Sequence, residues 1–273
     1  MNTVRTNPLS FTVLDGLAFA AARGLLQGGI PPTTTASDLG PLLELWQLAA
    51  GGIIPCPDEG SWLALDGVAS LYRELASGRP HWTCPATRSQ GYFRTTARSR
   101  DDELGWVAFG VAAQRAATSV GFSRSTAQQL VGAIGELTDN IYEHSEAAAS
   151  GVAAFKATPG AFEFVVFDRG IGVMQSLRAC PEHASLSDHG NALSLALTEG
   201  VSRFGSDTGR GKGFRPLFVG LANLWGSLRF RSGDHALTVD GQSPTLVTAQ
   251  TAQKVPLVGF FVSVTCRIKP PQA

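Results

Sequence analysis

The segment GELTDNIYEHS, residues 135–145, has polar side chains at helical spacing. Glu136 and Asn140 are four residues apart, and so are Asn140 and His144, so on a helix the three stack along one face. Amide and carboxylate oxygens in such a row suit Mg²⁺, which keeps several waters and shares a nucleotide's phosphates. A carboxylate there can also accept a proton from water or a hydroxyl group. The alternative is a helix with a polar edge in solvent.

A second group of candidates follows a strand-like run, in FDRGIGV at 167–173. Asp168 at the end of a strand can accept a hydrogen bond from an exocyclic amine such as that of adenine. Gly170 and Gly172 would let a flat base lie against the backbone, since glycine has no Cβ atom. The alternative is a tight turn with Asp168 in solvent.

A third cluster, GRGKG, precedes a helical pattern. Glycines let the backbone approach a ligand, and a helix N-terminus offers N–H groups and a partial positive charge to a phosphate. The GxxxxGK[ST] pattern of a Walker loop is absent, and no βαβ unit of about 30 residues surrounds the cluster. An ordinary glycine loop is the alternative. The cluster consists of Gly209, Arg210, Gly211, Lys212 and Gly213.

Helices are predicted around these clusters. One spans 104–120, and another runs from the N-cap Ser123 to about His144. Asp188 is predicted to cap a further helix that closes near Gly200. The helix that carries Glu136 has a separate apolar stripe for a buried face: Leu130, Ile134, Leu137 and Ile141.

The other patterns after residue 104 are an amphipathic helix at 214–221 and several strands. Pro159-Gly160 predicts a hairpin, and RSGD at 231–234 is interpreted as a turn. The strands are predicted over 151–157, 161–168, 226–231, 236–239 and 255–268. This part of the chain is therefore predicted to be α+β, with helices on one face of a mostly antiparallel sheet.

The first hundred residues carry weaker signals. A strand is predicted over 10–14, and helices are predicted over 39–50 and 62–76. The polar segment 87–103 is interpreted as a linker or an exposed loop. We therefore expect residues 1–103 to form a smaller α/β or mainly helical domain of unassigned fold, followed by a second domain over 104–273.

Composition limits the classes of function. The chain has 273 residues and 44% hydrophobic residues, enough for a packed core. Lys plus Arg and Asp plus Glu number 22 each, so no excess charge favours nucleic acid or a membrane surface. Four scattered cysteines without a CxxC pair argue against a zinc site or a disulfide scaffold. No signal-peptide pattern is evident at the N-terminus, and a cytoplasmic location is expected.

Taken in order, the three clusters resemble the GHKL superfamily, the ATP-binding fold of histidine kinases, type II topoisomerases, MutL proteins and heat-shock-90 chaperones. ELTDNIYEH is similar to the N box of that family, DRGIG to its G1 box and GRGKG to its G2 box. The resemblance covers 104–268 and implies a Bergerat-type α/β sandwich. A short lid and RSGD look most similar to stand-alone bacterial ATP-binding regulatory proteins, including anti-sigma-factor serine kinases.

The resemblance implies a role for each cluster. Glu136 would be the general base, Asn140 would bind Mg²⁺, and Asp168 would bind the adenine amino group. Gly170 and Gly172 would shape the base pocket. The lid hinge and phosphate cradle would be formed by Gly209, Gly211 and Gly213, with Arg210 and Lys212 near the phosphates.

Two features depart from the family pattern. Many members have a threonine directly after a glycine at the start of the last strand, whereas here Gly259 is followed by Phe260 and Phe261. A helix with a phosphoacceptor histidine is not evident either, because His81 lies in RPHWTCP between prolines.

Two functions are therefore kept open. The first is an Mg²⁺-dependent ATP-binding regulatory protein that slowly hydrolyses ATP or transfers its phosphoryl group to a Ser or His of a protein partner. The second is a nucleotide-gated protein-interaction module without catalysis. Neither nucleic acid nor a membrane is expected as a partner, and a homodimer is compatible with both functions.

Overall fold

A computed structural model describes residues 7–26, 34–55, 63–96, 100–197, 226–239 and 249–268. The chain divides into two compact units, Met1–Gly78 and Arg79–Ala273. This division comes earlier than the boundary expected at 103/104. The reason is that the chain between the two positions contributes two strands to the sheet of the second unit.

The described residues of the first unit form a small parallel sheet and three helices. Its strands lie side by side in chain order and are β1 (Asn7–Pro8), β2 (Thr34–Ala36) and β3 (Leu63–Leu65). Its helices are α1 (Phe11–Ala22), α2 (Leu39–Ala50) and α3 (Ala69–Ala76). The helix predicted over 39–50 is thus confirmed, and α2 buries most of its residues.

Two predictions in this unit are wrong. The segment 10–14 is not a strand: Ser10 accepts a hydrogen bond from the Val13 N–H at 3.3 Å and so caps α1. The predicted helix over 62–76 is divided, because β3 comes first and α3 begins only at Ala69. Gly67 lies between them at φ +68°, which interrupts a helix.

Within the described residues, the second unit forms an antiparallel sheet of six strands in the order β4-β5-β6-β7-β9-β8. The strands are β4 (His81–Thr83), β5 (Gln90–Arg94), β6 (Val152–Thr158), β7 (Ala161–Phe167), β8 (Ser227–Val239) and β9 (Gln250–Arg267). The predicted α+β class and the predicted mostly antiparallel sheet are confirmed.

The part of the second unit that the structure describes also has four helices and two short 3₁₀ turns. They are α4 (Arg100–Ser119), α5 (Arg124–His144), the turn Ala148–Ser150, α6 (Gly172–Arg178), the turn Pro181–His183 and α7 (His189–Ala196). All four helices share one core with alternate strand residues: Phe109, Ile134, Val173 and Leu193 meet Phe155, Phe164, Phe230 and Val262. The helices therefore cover one face of the sheet.

Several boundaries agree with the sequence. Ser123 caps α5, which ends at His144, and Asp188 caps α7 by accepting from the Asn191 N–H at 2.6 Å. The hairpin turns at Pro159-Gly160, and Gly160 has the positive φ that such a turn requires. Helix α7 ends at Ala196, before the predicted end near Gly200, and the predicted helix at 214–221 lies outside the described residues.

Two interpretations in this unit need correction. The segment 87–103 is neither a linker nor an exposed loop, because its middle forms β5 between β4 and β6, with Tyr92 and Phe93 buried. RSGD at 231–234 is not a turn between two strands. It lies inside β8, where the register with β9 shifts at Gly233. A shift of this kind is a β-bulge, which bends a strand without ending it.

No helix in the described parts of the chain combines the length and apolar character needed to cross a bilayer.

Replacing the N-cap of α5 should destabilise the second unit. Ser123 Oγ accepts a hydrogen bond from the Thr126 N–H at 3.1 Å, so Ser123→Ala should cost about 1 kcal/mol of unfolding free energy. Urea unfolding followed by far-ultraviolet circular dichroism measures this cost. The exposed neighbour Ser125→Ala is the control, and equal losses in both variants would contradict the capping role.

Candidate functional site

Helix α5 separates its polar line from its apolar stripe as the sequence predicts. Leu130, Ile134, Leu137 and Ile141 are all buried in the core. Glu136 is exposed, whereas Asn140 and His144 are partly buried. The polar line therefore runs along the border between the core and solvent, with Glu136 on the solvent side and the Nδ1 atom of His144 buried.

The C-terminal end of α5 lies directly against the loop that follows β7. The Ile171 N–H donates to the Ser145 carbonyl at 2.9 Å. A Cβ atom added to Gly170 would lie only 2.0 Å from the same carbonyl oxygen. The structure therefore brings together the first and second clusters of the sequence, and it tolerates only glycine at the point of contact.

Asp168 is buried at the end of β7, with 1% of its surface exposed. Its Oδ1 accepts a hydrogen bond from the Gly170 N–H at 2.7 Å, and its carboxyl group also accepts one from the Phe260 N–H. Its own N–H donates to the Phe260 carbonyl at 3.1 Å. The alternative of a turn with Asp168 in solvent is thus excluded.

This environment changes the acidity of Asp168. Burial raises the pKa of Asp168 from 3.8 to about 6, although the hydrogen bonds from the Gly170 and Phe260 N–H groups oppose the rise. The carboxyl group is therefore mostly ionised at neutral pH and becomes protonated in mild acid. Buried carboxyl groups with raised pKa values are concentrated at functional sites.

Glycines around Asp168 are needed for packing within the protein. A Cβ atom on Gly172 (φ +76°) would lie 2.7 Å from Ser232 Oγ. A Cβ atom on Gly259 (φ +80°) would lie 2.1 Å from the Asp168 carbonyl oxygen. The sequence predicted that Gly170 and Gly172 leave room for a flat base. In the structure, the positions where their Cβ atoms would stand are occupied by protein atoms.

Ser232 and Gly259 were not predicted from the sequence as members of this site. Ser232 Oγ accepts a hydrogen bond from the Val173 N–H at 3.0 Å and donates one to the Gly259 carbonyl at 2.8 Å. The sequence pointed to these segments only indirectly, since RSGD was interpreted as a turn and Gly259 was noted as the glycine that many GHKL members place before a threonine. Their proximity depends on the pairing of β8 with β9.

A second polar cluster lies next to Ser232 along β8. Asp234 Oδ1 is 2.8 Å from His189 Nδ1 and 2.9 Å from His235 Nδ1, and Gln253 donates to Oδ2. Partial burial opposes ionisation of Asp234, but the hydrogen bonds from His235 and Gln253 and the charges of both histidines outweigh it and lower the pKa of Asp234. This cluster joins the start of α7 to β8, next to the shift in its register with β9.

The third cluster of the sequence, at 209–213, lies outside the described residues. Its five members therefore remain predictions: Gly209, Arg210, Gly211, Lys212 and Gly213. Within the described residues, no group of three or more His, Cys, Asp or Glu side chains is arranged to hold a metal ion.

No protein-family model, curated protein or solved structure matches this chain.

The buried carboxyl group of Asp168 should make stability depend on pH. Between pH 3.8 and about 6 the folded chain binds more protons at Asp168 than the unfolded chain does. The contribution of Asp168 to the free energy of unfolding is therefore fully present below this window. It falls by about 3 kcal/mol in all as the pH rises through the window. Asp168→Asn should remove this dependence of the unfolding free energy on pH. Unfolding experiments between about pH 4 and about pH 7 test the expectation.

The exposed Asp66→Asn is the control for that comparison. An Asp168→Asn variant with the same slope of unfolding free energy against pH as the wild type would contradict the raised pKa.

Proposed function

We propose that the unit Arg79–Ala273 binds ATP with Mg²⁺ and uses it to regulate a protein partner, as a member of the GHKL superfamily with a Bergerat-type fold. One observation carries the proposal. The end of α5, which bears Glu136 and Asn140, is hydrogen-bonded to the loop that holds the buried Asp168. Residues suited to phosphate chemistry and a residue suited to base recognition thus lie on adjoining elements.

Asp168 suits recognition of the adenine amino group. A buried, ionised carboxylate is a strong acceptor for an N–H donor, and the amino group of adenine is such a donor. The Gly170 and Phe260 N–H groups fix the carboxylate from the protein side. Because the pKa of Asp168 is about 6, the acceptor form dominates at neutral pH.

The polar line of α5 suits the metal and the reacting water. Asn140 offers an amide oxygen at the edge of the core, and Glu136 offers an exposed carboxylate one turn earlier. Mg²⁺ usually binds one or two protein oxygens besides waters and phosphate oxygens, so it does not require a cluster of three acidic or histidine side chains. When bound, the ion would neutralise phosphate charge. Asn140 would hold it, and Glu136 would accept a proton from the attacking hydroxyl or water.

The architecture of this unit also supports the proposal. One face of an antiparallel sheet is covered by helices, and the N-box-like segment is the last part of α5. The G1-box-like segment joins β7 to α6. The proposed partner is a protein whose Ser or His accepts the phosphoryl group, or whose binding depends on the nucleotide.

Asp168→Asn should weaken ATP binding. Loss of a charged acceptor in a buried site should reduce affinity about 10- to 100-fold. Wild-type affinity should also fall as the pH drops below about 6, because the protonated carboxyl group is a poorer acceptor. Calorimetry with and without Mg²⁺ measures both effects, with the exposed Asp66→Asn as the control. Equal affinities of Asp168→Asn and wild type, or no ATP binding by the wild type, would contradict the proposal.

Glu136→Ala should separate catalysis from gating. If Glu136 is the general base, the variant should retain ATP affinity and lose turnover or phosphotransfer by about 100-fold or more. Release of phosphate and labelling of protein by ATP are the measurements. Gln129→Ala, seven residues earlier and also exposed on α5, is the control. Wild-type binding without turnover would instead favour the non-catalytic gated module, which the Phe260–Phe261 pair after Gly259 motivates.

A further inference from the structure

Ser232 lies at the irregular point where β8 pairs with β9. It is 2% exposed and stands opposite Phe260. The next pair joins Gly233 to Leu257, so that Val258 and Gly259 lie between consecutive pairs on β9. On its other side β9 pairs with β7, so this part of β9 also lies next to Asp168 at the end of β7.

The hydroxyl of Ser232 links the bulge to α6. It accepts a hydrogen bond from the Val173 N–H, in the first turn of α6, and donates its own hydrogen to the Gly259 carbonyl. The hydroxyl group thus has both its donor and an acceptor position occupied by backbone partners. A side chain in this state holds its neighbours in place instead of presenting itself to a ligand.

One peptide group joins Ser232 to Asp168. The Gly259 carbonyl and the Phe260 N–H belong to the same planar peptide unit and point in opposite directions. Ser232 holds the carbonyl end of this unit at 2.8 Å, and the N–H end donates to the Asp168 carboxyl group. Hydrogen bonds in such a chain polarise one another. The orientation of this donor is therefore tied to the Ser232 hydroxyl.

We propose that Ser232 is a positioning residue for Asp168, which it controls by fixing the orientation of the Gly259–Phe260 peptide. This peptide packs directly against Asp168, since a Cβ atom on Gly259 would lie 2.6 Å from Asp168 Oδ1. The proposal concerns Asp168 in the free protein. Its consequence for adenine binding rests on the function proposed above.

Loss of the hydroxyl should act on Asp168 in a definite direction. In Ser232→Ala the Gly259 carbonyl loses its donor, and the peptide can tilt its N–H away from the carboxylate. Because that N–H stabilises the ionised form, the pKa of Asp168 should rise further, by about half a unit to one unit. The surrounding segments also carry ionisable side chains, and these stay unchanged in all variants: Asp139, Glu143 and His144 on α5, Glu146 after it, Arg169 in the loop, Arg178 on α6, and Arg229, Arg231, Asp234 and His235 on β8.

The test is a carbon-13 NMR titration of the full chain, labelled at the Asp carboxyl carbons, without nucleotide. Comparison with Asp168→Asn identifies the signal of Asp168. Ser232→Ala should raise the titration midpoint, and Ser232→Thr, which keeps a hydroxyl group, should restore it. Ser263→Ala, a buried serine of β9 paired with Val165, is the matched control and should leave the midpoint unchanged.

An unchanged midpoint in Ser232→Ala would overturn the proposal, and so would an equal rise in Ser263→Ala. Should Ser232→Ala be too unstable to titrate, Ser232→Cys provides the same test, because a thiol is a weaker donor and should give a smaller rise in the same direction. A loss of stability without any change in midpoint would mean that Ser232 only supports the fold.

A second measurement separates this proposal from the proposed function. If the wild type binds ATP, the pH below which ATP affinity falls should be higher in Ser232→Ala than in the wild type. The difference should equal the rise in the NMR midpoint. If the wild type does not bind ATP while Ser232→Ala still raises the midpoint, the positioning role stands and the ATP proposal fails. ATP binding with an unaltered midpoint and profile in Ser232→Ala would reject the positioning role alone.

Discussion

The arrangement of the second unit depends on burying the carboxyl group of Asp168. Such a group loses its hydration and must be compensated by nearby donors. Here the known donors are backbone N–H groups, from Gly170 in the loop and from Phe260 in β9. Backbone donors cannot change rotamer, so the strands and the loop must themselves stand at the right distance and angle.

This requirement explains the small residues around Asp168. Gly170 lets the loop touch the end of α5 at the Ser145 carbonyl, and Gly259 lets β9 touch Asp168 itself. Ser232 then holds the bulge of β9 and the first turn of α6 with one hydroxyl group. Each contact is close enough to exclude a larger side chain, so the geometry around the carboxylate has little freedom. A preformed acceptor of this kind lowers the cost of ordering a site when a ligand binds.

Local patterns predicted α4, α5, α7 and the hairpin of β6 and β7 because their signals depend on neighbours in the sequence. Helix α5 was recognisable from the cap Ser123 and from its apolar and polar stripes, and the hairpin was recognisable from Pro159-Gly160. The predictions for the segment of β5 and for RSGD were wrong for a common reason. Strand β5 is polar at its flanks and becomes a strand through pairing on both sides, and RSGD contains turn residues but is held straight enough by β9 to continue β8.

The sequence by itself determined the elements that carry Glu136, Asn140 and Asp168, because helix periodicity, capping and the end of an apolar strand are local properties. Only the tertiary structure decided that Asp168 is buried with a raised pKa, since its donor Phe260 and the supporting Ser232 are distant in the chain. Their approach depends on the order of strands β7, β9 and β8 and on a shift in register. Strand order and register are set by the packing of the whole sheet, which no single segment encodes.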